Sequence, residues 1–314
     1  MSRVEEIIHE QLRGQGLEKL PNGYRHSLPH GTTDLTFEPA THPAGDFGLC
    51  AIATIETRFI KGMPAFLPRD IARLNRRAVF GNFLMVDGSI GPKLTFSVYE
   101  KEPADTWVAR ILLTALGAQL ACGIGFAQSE LSDELLRANR ANLEYPRKWV
   151  QPPEAAAFDA AAERFRQAGL VATRGPHGLV LEVPLAPGAP SRMIDGCAET
   201  ALLHVSVDVP HPLAGVGYTA TIALPFDPPA SEIADWSTYL NEREHERQDF
   251  VPRLGAWGIR GVRDQLVYSM FWPTTHADST MHSTMMNWMV RRVLWLKSNF
   301  WVAGQGLDHG TAAS

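Results

Sequence analysis

The feature that most constrains this chain is a pattern of residues that occurs twice along its 314 positions. The stretch from Gly48 to Gln119 recurs in the second half in the same order, and the spacing between equivalent residues changes only where a loop could have grown or shrunk. The first copy contains Ala53-Thr54-Ile55, Phe59, Leu74-Asn75-Arg76-Arg77, Leu94-Thr95-Phe96-Ser97-Val98-Tyr99, Trp107 and Arg110. The second copy contains Ala220-Thr221-Ile222, Phe226, Leu240-Asn241-Glu242-Arg243, Leu266-Val267-Tyr268-Ser269-Met270-Phe271, Trp288 and Arg291. The sequence therefore predicts a duplicated domain.

Each copy is predicted to contain the same order of elements: helix, about three strands, helix, two strands, helix. Apolar residues at helical spacing between Arg3 and Arg13 predict an amphipathic helix, and Pro68 and Pro229 suit the first turn of a helix. From Ala201 to Val209, apolar and polar residues alternate, which indicates a strand with one buried face. Because short turns join the strands, the strands pair antiparallel and helices cover the apolar face of each sheet. The predicted fold class is α+β, with two tandem antiparallel sheets flanked by helices.

A proline-rich stretch separates the two copies. Residues Ala141 to Pro153 include Tyr145-Pro146 and Pro152-Pro153, which is typical of a domain boundary. We therefore expect a first domain at residues 1–145 and a second domain at residues 146–314. This division agrees with the chain length, since one domain typically holds about 100–200 residues.

The charge and the cysteine content exclude some classes of function. A net charge of -5 and a pI near 6.1 lack the basic surplus of a general nucleic-acid binder, so we expect no nucleic-acid partner. The three cysteines, Cys50, Cys122 and Cys197, show no CxxC spacing. Neither a disulfide framework nor a zinc ribbon is indicated, and the cysteines suit a reducing compartment.

The N-terminus and the most apolar segment indicate a cytoplasmic protein without a membrane span. Glu5 and Glu6 stand where a signal peptide has a basic start followed by an apolar run. The segment from Ile111 to Ala127 is uncharged, but it includes Thr114 and Gln119 and is marginal in length for a bilayer. We expect a buried helix there.

Several patches of the first copy resemble a known family. The run Ile71 to Arg77, then Phe80-Gly81-Asn82-Phe83, Asp87-Gly88 and Leu94 to Tyr99 before an apolar closing helix, is similar to the YbjN family, which shares the type III secretion chaperone-like fold. The likeness covers Leu17 to Trp301 as two copies. It implies a non-enzymatic, acidic, cytoplasmic α+β domain that is often dimeric and binds another protein. Because two copies lie in one chain, we expect either a monomer that forms an internal pseudo-dimer or a homodimer.

One strand carries the residue types of a hydrolase triad. His204, Ser206 and Asp208 share one face of the predicted strand from Ala201 to Val209. Neighbours two apart on a strand are about 7 Å apart, whereas nucleophile and base must be within hydrogen-bond reach. We therefore interpret this face as a solvated strand surface without catalytic residues.

No metal or cofactor site is predicted. His276, Asp278 and His282 cluster before and within the start of the last helix, but the two histidines are six residues apart. Zinc-binding helices place two histidines at i and i+4, so we expect these residues to serve in capping and turns. Gly123-Ile124-Gly125 lacks the third glycine of a dinucleotide loop and follows a predicted helix.

The last helix, predicted from Met281 to Val302, carries the candidate partner-binding residues. Trp288 and Trp295 lie on one face beside Arg291, and Trp and Arg are the residues most enriched at interaction hot spots. The alternative is that both faces of this helix are buried within the same chain. A second stripe, expected to face the sheet, consists of Met285, Met289, Val293, Leu296 and Phe300.

These features favour a non-enzymatic, cytoplasmic protein-binding or chaperone-like protein, although no residue pattern names the partner. Two alternatives stay open: an enzyme with a pocket between the two repeats, and a structural subunit of a larger assembly. A pocket with convergent polar groups would favour the enzyme, and an exposed apolar groove would favour the binding protein.

Overall fold

The fold is described by a computed structural model in which two compact units can be distinguished. By residue contacts, the first unit comprises Met1–Ala141 with Thr238–Ala256, and the second comprises Asn142–Ser237 with Trp257–Ser314. The segment Thr238–Ala256 comes from the second half of the sequence but belongs to the first unit. The structure describes residues 2–28, 31–41, 48–59, 68–75, 81–86, 89–99, 104–127, 152–185, 200–211, 215–225, 228–246, 253–260, 264–273, 281–302 and 306–307.

The first half of the chain forms a six-stranded antiparallel sheet in the order β1-β2-β3-β4-β6-β5. The chain enters it through α1, whose N-terminus has a capping box: the Ser2 hydroxyl accepts from the Glu5 amide at 3.2 Å, and the Glu5 carboxylate accepts from the Ser2 amide. The elements are α1 (Arg3–Leu12), β1 (Glu18–Leu20), β2 (Gly23–Leu28), β3 (Gly31–Pro39), β4 (Leu49–Phe59), α2 (Pro68–Asn75), β5 (Asn82–Val86), β6 (Ser89–Tyr99) and α3 (Ala104–Ala127).

Among the described elements of the first half, helix α3 covers one face of this sheet. Leu35 and Phe37 on β3 and Ala53 and Ile55 on β4 are buried, because α3 packs on β3, β4 and β6 and α1 packs on α3. The residues between them on each strand point to the opposite side, since side chains alternate along a strand. We call that opposite side the outer face of the first sheet.

The second half of the chain forms a six-stranded sheet in the order β7-β8-β9-β10-β12-β11. Its helices α4 and α6 pack on β7, β8, β9 and β10, and a short hairpin of β13 and β14 follows. The elements are α4 (Pro152–Gln167), β7 (Val171–Gly175), β8 (Gly178–Pro184), β9 (Thr200–His211), β10 (Gly215–Ala223), α5 (Ile233–Glu246), β11 (Gly255–Arg260), β12 (Gln265–Pro273), α6 (Met281–Asn299), β13 (Trp301–Val302) and β14 (Gly306–Leu307).

The two sheets have the same strand order, which confirms the predicted α+β class with two tandem antiparallel sheets. Four strands rather than about three precede the second helix of each half, because the short strands β1 and β7 join at the sheet edges. The residue match along the last long strand is also different from the predicted one. Ile55 pairs with Leu94 while the equivalent Ile222 pairs with Tyr268, so Leu94 corresponds to Tyr268 rather than to Leu266. A shift of two residues keeps each side chain on its face, so the apolar pattern cannot detect it.

The core of the second unit confirms the predicted apolar stripe of α6. Its five members have exposed fractions of 2% or less and lie beneath the sheet: Met285, Met289, Val293, Leu296 and Phe300. In the described part of the chain, no helix combines the length and the apolar character that crossing a membrane requires.

The close approach of β4 and β6 makes Gly91 a sensitive position. A Cβ atom at Gly91 would lie 1.6 Å from the carbonyl oxygen of Thr57, whereas one at the exposed Gly117 on α3 would meet nothing within 4 Å. We expect Gly91→Ala to lower the free energy of unfolding by about 1–3 kcal/mol through overpacking. Gly117→Ala should raise it by up to about 1 kcal/mol, because alanine favours helix. Urea unfolding of both variants checks this, and equal stabilities would contradict the close approach.

Candidate functional site

A cleft on the outer face of the first sheet is the candidate functional site. Its volume is about 580 Å³, and all of the described residues that line it belong to the first unit. Strands β3, β4 and β6 form its floor, and the segment Thr238–Ala256 contributes two further side chains. The lining residues are Asp34, Thr36, Glu38, Ile52, Thr54, Glu56, Arg58, Lys93, Thr95, His245 and Arg253.

A row of charged side chains crosses four strands at one side of the cleft. The strand register places Arg25 opposite Asp34, Asp34 opposite Glu56, and Glu56 opposite Lys93. Two nitrogens of Arg25 donate to the two oxygens of Asp34, each at 2.7 Å, and this hydrogen bonding raises the pKa of Arg25. Arg58 donates to Glu56 at 2.6 Å, with the same effect on the pKa of Arg58. Both carboxylates in the row are therefore held by arginines.

A row of threonines lies beside the charged row. Thr36 pairs with Thr54, and Thr54 pairs with Thr95, so their side chains share the outer face. The Thr95 hydroxyl bonds to His245, whereas the hydroxyls of Thr36 and Thr54 form no hydrogen bond within the described residues. Two hydroxyl groups in the middle of the cleft are thus open to a ligand.

His245 closes one end of the cleft and both of its ring nitrogens are engaged. Nε2 lies 2.7 Å from Oδ1 of Asn82, and Nδ1 lies 3.0 Å from Oγ1 of Thr95. The Asn82 amide nitrogen donates to the carbonyl oxygen of Asn241 at 3.3 Å, which leaves its Oδ1 as an acceptor. His245 Nε2 therefore carries the proton, and the Thr95 hydroxyl donates to Nδ1.

Two positively charged side chains lie near the same end of the cleft. Burial lowers the pKa of His245 well below its ordinary value, and the charges of Lys93 and Arg253 lower it further. Arg253 is only 7% exposed, and its backbone amide donates to the Thr95 carbonyl oxygen at 3.3 Å. His245 is thus a neutral hydrogen-bonding residue at neutral pH.

The second sheet has the same register but lacks the charged row. The pairing of β8, β9, β10 and β12 gives the row of the second sheet that corresponds to the charged row. In place of Arg25, Asp34, Glu56 and Lys93, it contains Glu182, Leu202, Ala223 and Val267. The row therefore contains four charged residues in the first copy and one in the second. Because the fold forms without these charges in the second copy, the fold does not require the charged row.

The predicted separation of the triad-like residues is wrong for one pair. Ser206 Oγ lies 3.0 Å from Nδ1 of His204, within hydrogen-bond reach. Ser206 is only 3% exposed, so a substrate has little access to its hydroxyl. The side chain of Asp208 lies outside the described residues. The observed pair is a local hydrogen bond on the strand rather than an accessible nucleophile.

The predicted cluster before the last helix is only partly described. His276 and Asp278 lie outside the described residues, as do the side chains of all three cysteines. His282 is 4% exposed and packs against the rings of Phe158 and Tyr218, with centroids 4.2 Å and 4.7 Å away. Among the side chains that the structure describes, no group of three His, Cys, Asp or Glu residues is suited to a metal ion.

The predicted partner-binding residues lie on the less buried side of α6. Arg291 is exposed, while Trp288 and Trp295 are half-buried. Trp288 packs on the buried Trp272 at a centroid distance of 5.8 Å, and Leu294 beside them is 47% exposed. The helix therefore buries its methionine stripe and leaves an open side in the second unit.

Sequence reasoning did not single out the cleft residues. Thr54, Glu56 and Arg58 alternate with buried residues along β4, which signals an outward face but not a site. A comparison of the two copies could have indicated these residues, because Glu56 occupies the position of Ala223 in the second copy. His245 and Arg253 gave no sequence signal, because they reach the cleft from a distant part of the chain.

Comparisons of the chain with family models, with curated proteins and with solved structures give no match. We therefore infer the function from the geometry of the chain's own residues.

His245 provides a test of the cleft's electrostatics through the pH dependence of stability. Its folded-state pKa is lowered, so below about pH 6.5 the unfolded chain binds more protons and the free energy of unfolding falls. We expect His245→Gln to remove this component, which for one group is at most about 1.4 kcal/mol per pH unit. Urea unfolding at neutral and mildly acidic pH measures it. Equal pH dependence of wild type and variant would contradict a lowered pKa.

Trp288 provides a test of the packing of α6. We expect Trp288→Ala to lower the free energy of unfolding by about 2 kcal/mol, less than a core tryptophan, because the half-buried ring loses its packing on Trp272. Arg291→Ala, on the exposed side of the same helix, is the control and should change it by less than about 0.5 kcal/mol. Denaturant titration measures both. A loss for Arg291→Ala as large as that for Trp288→Ala would contradict this arrangement.

Proposed function

We propose that this chain is a non-enzymatic binding protein and that the cleft on the outer face of the first sheet holds its ligand. The observation that carries this proposal is the charged row and threonine row lining a volume of about 580 Å³. That volume lies within the range of about 300–1,000 Å³ typical of small-molecule sites. The second copy, which has the same register, lacks the charged row.

The lining chemistry indicates a polar ligand. Among the lining residues that the structure describes, Ile52 is the only aliphatic one, and the others are threonines and charged or ring-nitrogen side chains. Both carboxylates of the charged row are fixed by arginines, so the groups that meet the ligand are oriented in advance. The proposed site is thus unlike the apolar groove that a chaperone of unfolded segments would present.

The enzyme alternative draws on the order Thr95, His245, Asn82, which resembles a nucleophile, a base and an orienting residue. Two observations favour binding over this chemistry. Thr95 is only 6% exposed, so its hydroxyl is poorly accessible. The lowered pKa of His245 makes its imidazole a weak base. The cleft also lies within the first unit, whereas the predicted enzyme pocket was between the repeats.

We also propose that the chain binds a protein partner, at a second surface on the open side of α6. The open side of α6 presents Arg291 and Leu294 between the half-buried Trp288 and Trp295. Tryptophan and arginine are residue types enriched at hot spots. The chaperone-like role and the cytoplasmic location implied by the YbjN resemblance belong to this proposal, as does a monomer or homodimer.

Blocking the cleft tests the proposed ligand site. We expect Thr54→Trp to fill its centre, and Thr221→Trp, the equivalent change in the second copy, to leave it open. In a thermal-shift screen of organic acids, phosphates, sugars, amino acids and polyamines, at least one compound should stabilise wild type and Thr221→Trp but not Thr54→Trp. Circular dichroism confirms that each variant folds, and Thr36→Trp on the neighbouring strand serves as a second blocking variant. If no compound distinguishes the blocked variants from wild type, the cleft is not the ligand site.

A further inference from the structure

We propose that the cleft binds an oxyanion group of its ligand, which is either a phosphate or a carboxylate. This group would lie at the end of the cleft formed by Lys93 and Arg253. This inference rests on the proposed ligand site and specifies its chemistry. It follows from the arrangement of charges and hydroxyl groups around that end of the cleft.

Lys93 is the cation of the charged row that is available to bind an anionic ligand group. It stands opposite Glu56 in the strand register, but Glu56 is ion-paired with Arg58 at 2.6 Å. Lys93 itself forms no ion pair within the part of the chain that the structure describes, and it is half-buried in the cleft wall. A half-buried ammonium gains most from an anionic partner, because its own hydration is incomplete.

Arg253 adds a second positive charge that is fixed in place. Its side chain lines the cleft although the residue is 7% exposed. The backbone holds it there: its amide donates to Thr95, and the carbonyl oxygen of Leu254 accepts from the Gly81 amide at 3.3 Å. A cation on a fixed backbone contributes to binding without the entropy cost of ordering a loop.

Two cations lie near His245 at this end of the cleft. After burial, which is the largest cause, Lys93 and Arg253 both lower the pKa of His245, and no carboxylate of the described residues acts on it. Asp34 and Glu56 also line the cleft, but each is paired with an arginine, which offsets its charge. An anion placed beside His245 would therefore meet a positive potential.

Hydroxyl donors complete the proposed oxyanion site. Thr54 lies in the row next to Lys93, about 7 Å along the strand, and its hydroxyl is open to a ligand. Glu38, the remaining acidic lining residue, lies on β3, two rows and about 13 Å along the strand direction from Lys93. Cations and a hydroxyl donor thus converge at one end of the cleft, away from the carboxylate of Glu38.

Binding of simple ions to the whole protein tests this inference. Inorganic phosphate, succinate and putrescine are titrated at constant ionic strength, and the thermal midpoint gives each affinity. We expect phosphate, succinate or both to stabilise the wild type and putrescine to have no effect. Lys93→Gln should weaken anion binding about tenfold or more, because it removes the charge and keeps a polar, hydrogen-bonding side chain. Lys19→Gln, on the exposed edge strand β1, removes the same charge outside the cleft and should leave binding unchanged.

The two anions distinguish the source of the oxyanion. Stabilisation by phosphate alone assigns a phosphate group to the ligand, and stabilisation by succinate assigns a carboxylate. In either case, Thr54→Trp should abolish the effect.

Other outcomes overturn the inference. Equal anion affinity of Lys93→Gln and wild type, stabilisation by putrescine, or no response to either anion up to tens of millimolar would each refute the oxyanion assignment. If compounds of another kind are then bound by wild type and lost in Thr54→Trp, the ligand site itself stands. If no compound distinguishes wild type from Thr54→Trp, the proposed function fails as well.

Discussion

The alternation of apolar and polar side chains along β3, β4 and β6 governs the structure of the first unit. Burial of a residue such as Leu35 or Ile55 contributes about 1.5–3 kcal/mol, so the sheet must present that face to α3. The polar residues that alternate with these apolar residues then lie on the opposite face. A slip of one residue would place Asp34 and Glu56 in the core, which is far too costly for charged groups. The same alternation therefore secures both the core and the floor of the cleft.

The charged row contributes little to this stability, which strengthens its assignment to function. Exposed ion pairs contribute about 0–1 kcal/mol, and Arg25 and Arg58 keep side-chain exposures of 38% and 56%. The second sheet folds with the same strand order although Leu202 and Ala223 replace the two carboxylates. The presence of the charged row in one copy and its absence from the other agree with the proposed ligand site.

Local periodicity accounts for what the sequence could predict. The duplication, the strand alternation and the buried stripe from Met285 to Phe300 follow from spacings of two or of three and four residues. Cross-strand partners do not follow from such spacings, since a shift of two residues preserves the pattern; the match of Leu94 with Leu266 was wrong for this reason. The cleft combines cross-strand rows with two side chains from residues 238–256, so it could not be predicted from any single segment.

The hydrogen bonds of His245 have a consequence for biosynthesis. This histidine joins Thr95 and Asn82 across sequence separations of 150 and 163 residues. As the chain leaves the ribosome, the strands of the first sheet emerge long before the side chains that close one end of the cleft. The first half of the chain lacks His245 and Arg253 until most of the protein has been translated. The proposed ligand site is therefore incomplete in any chain that ends before Arg253.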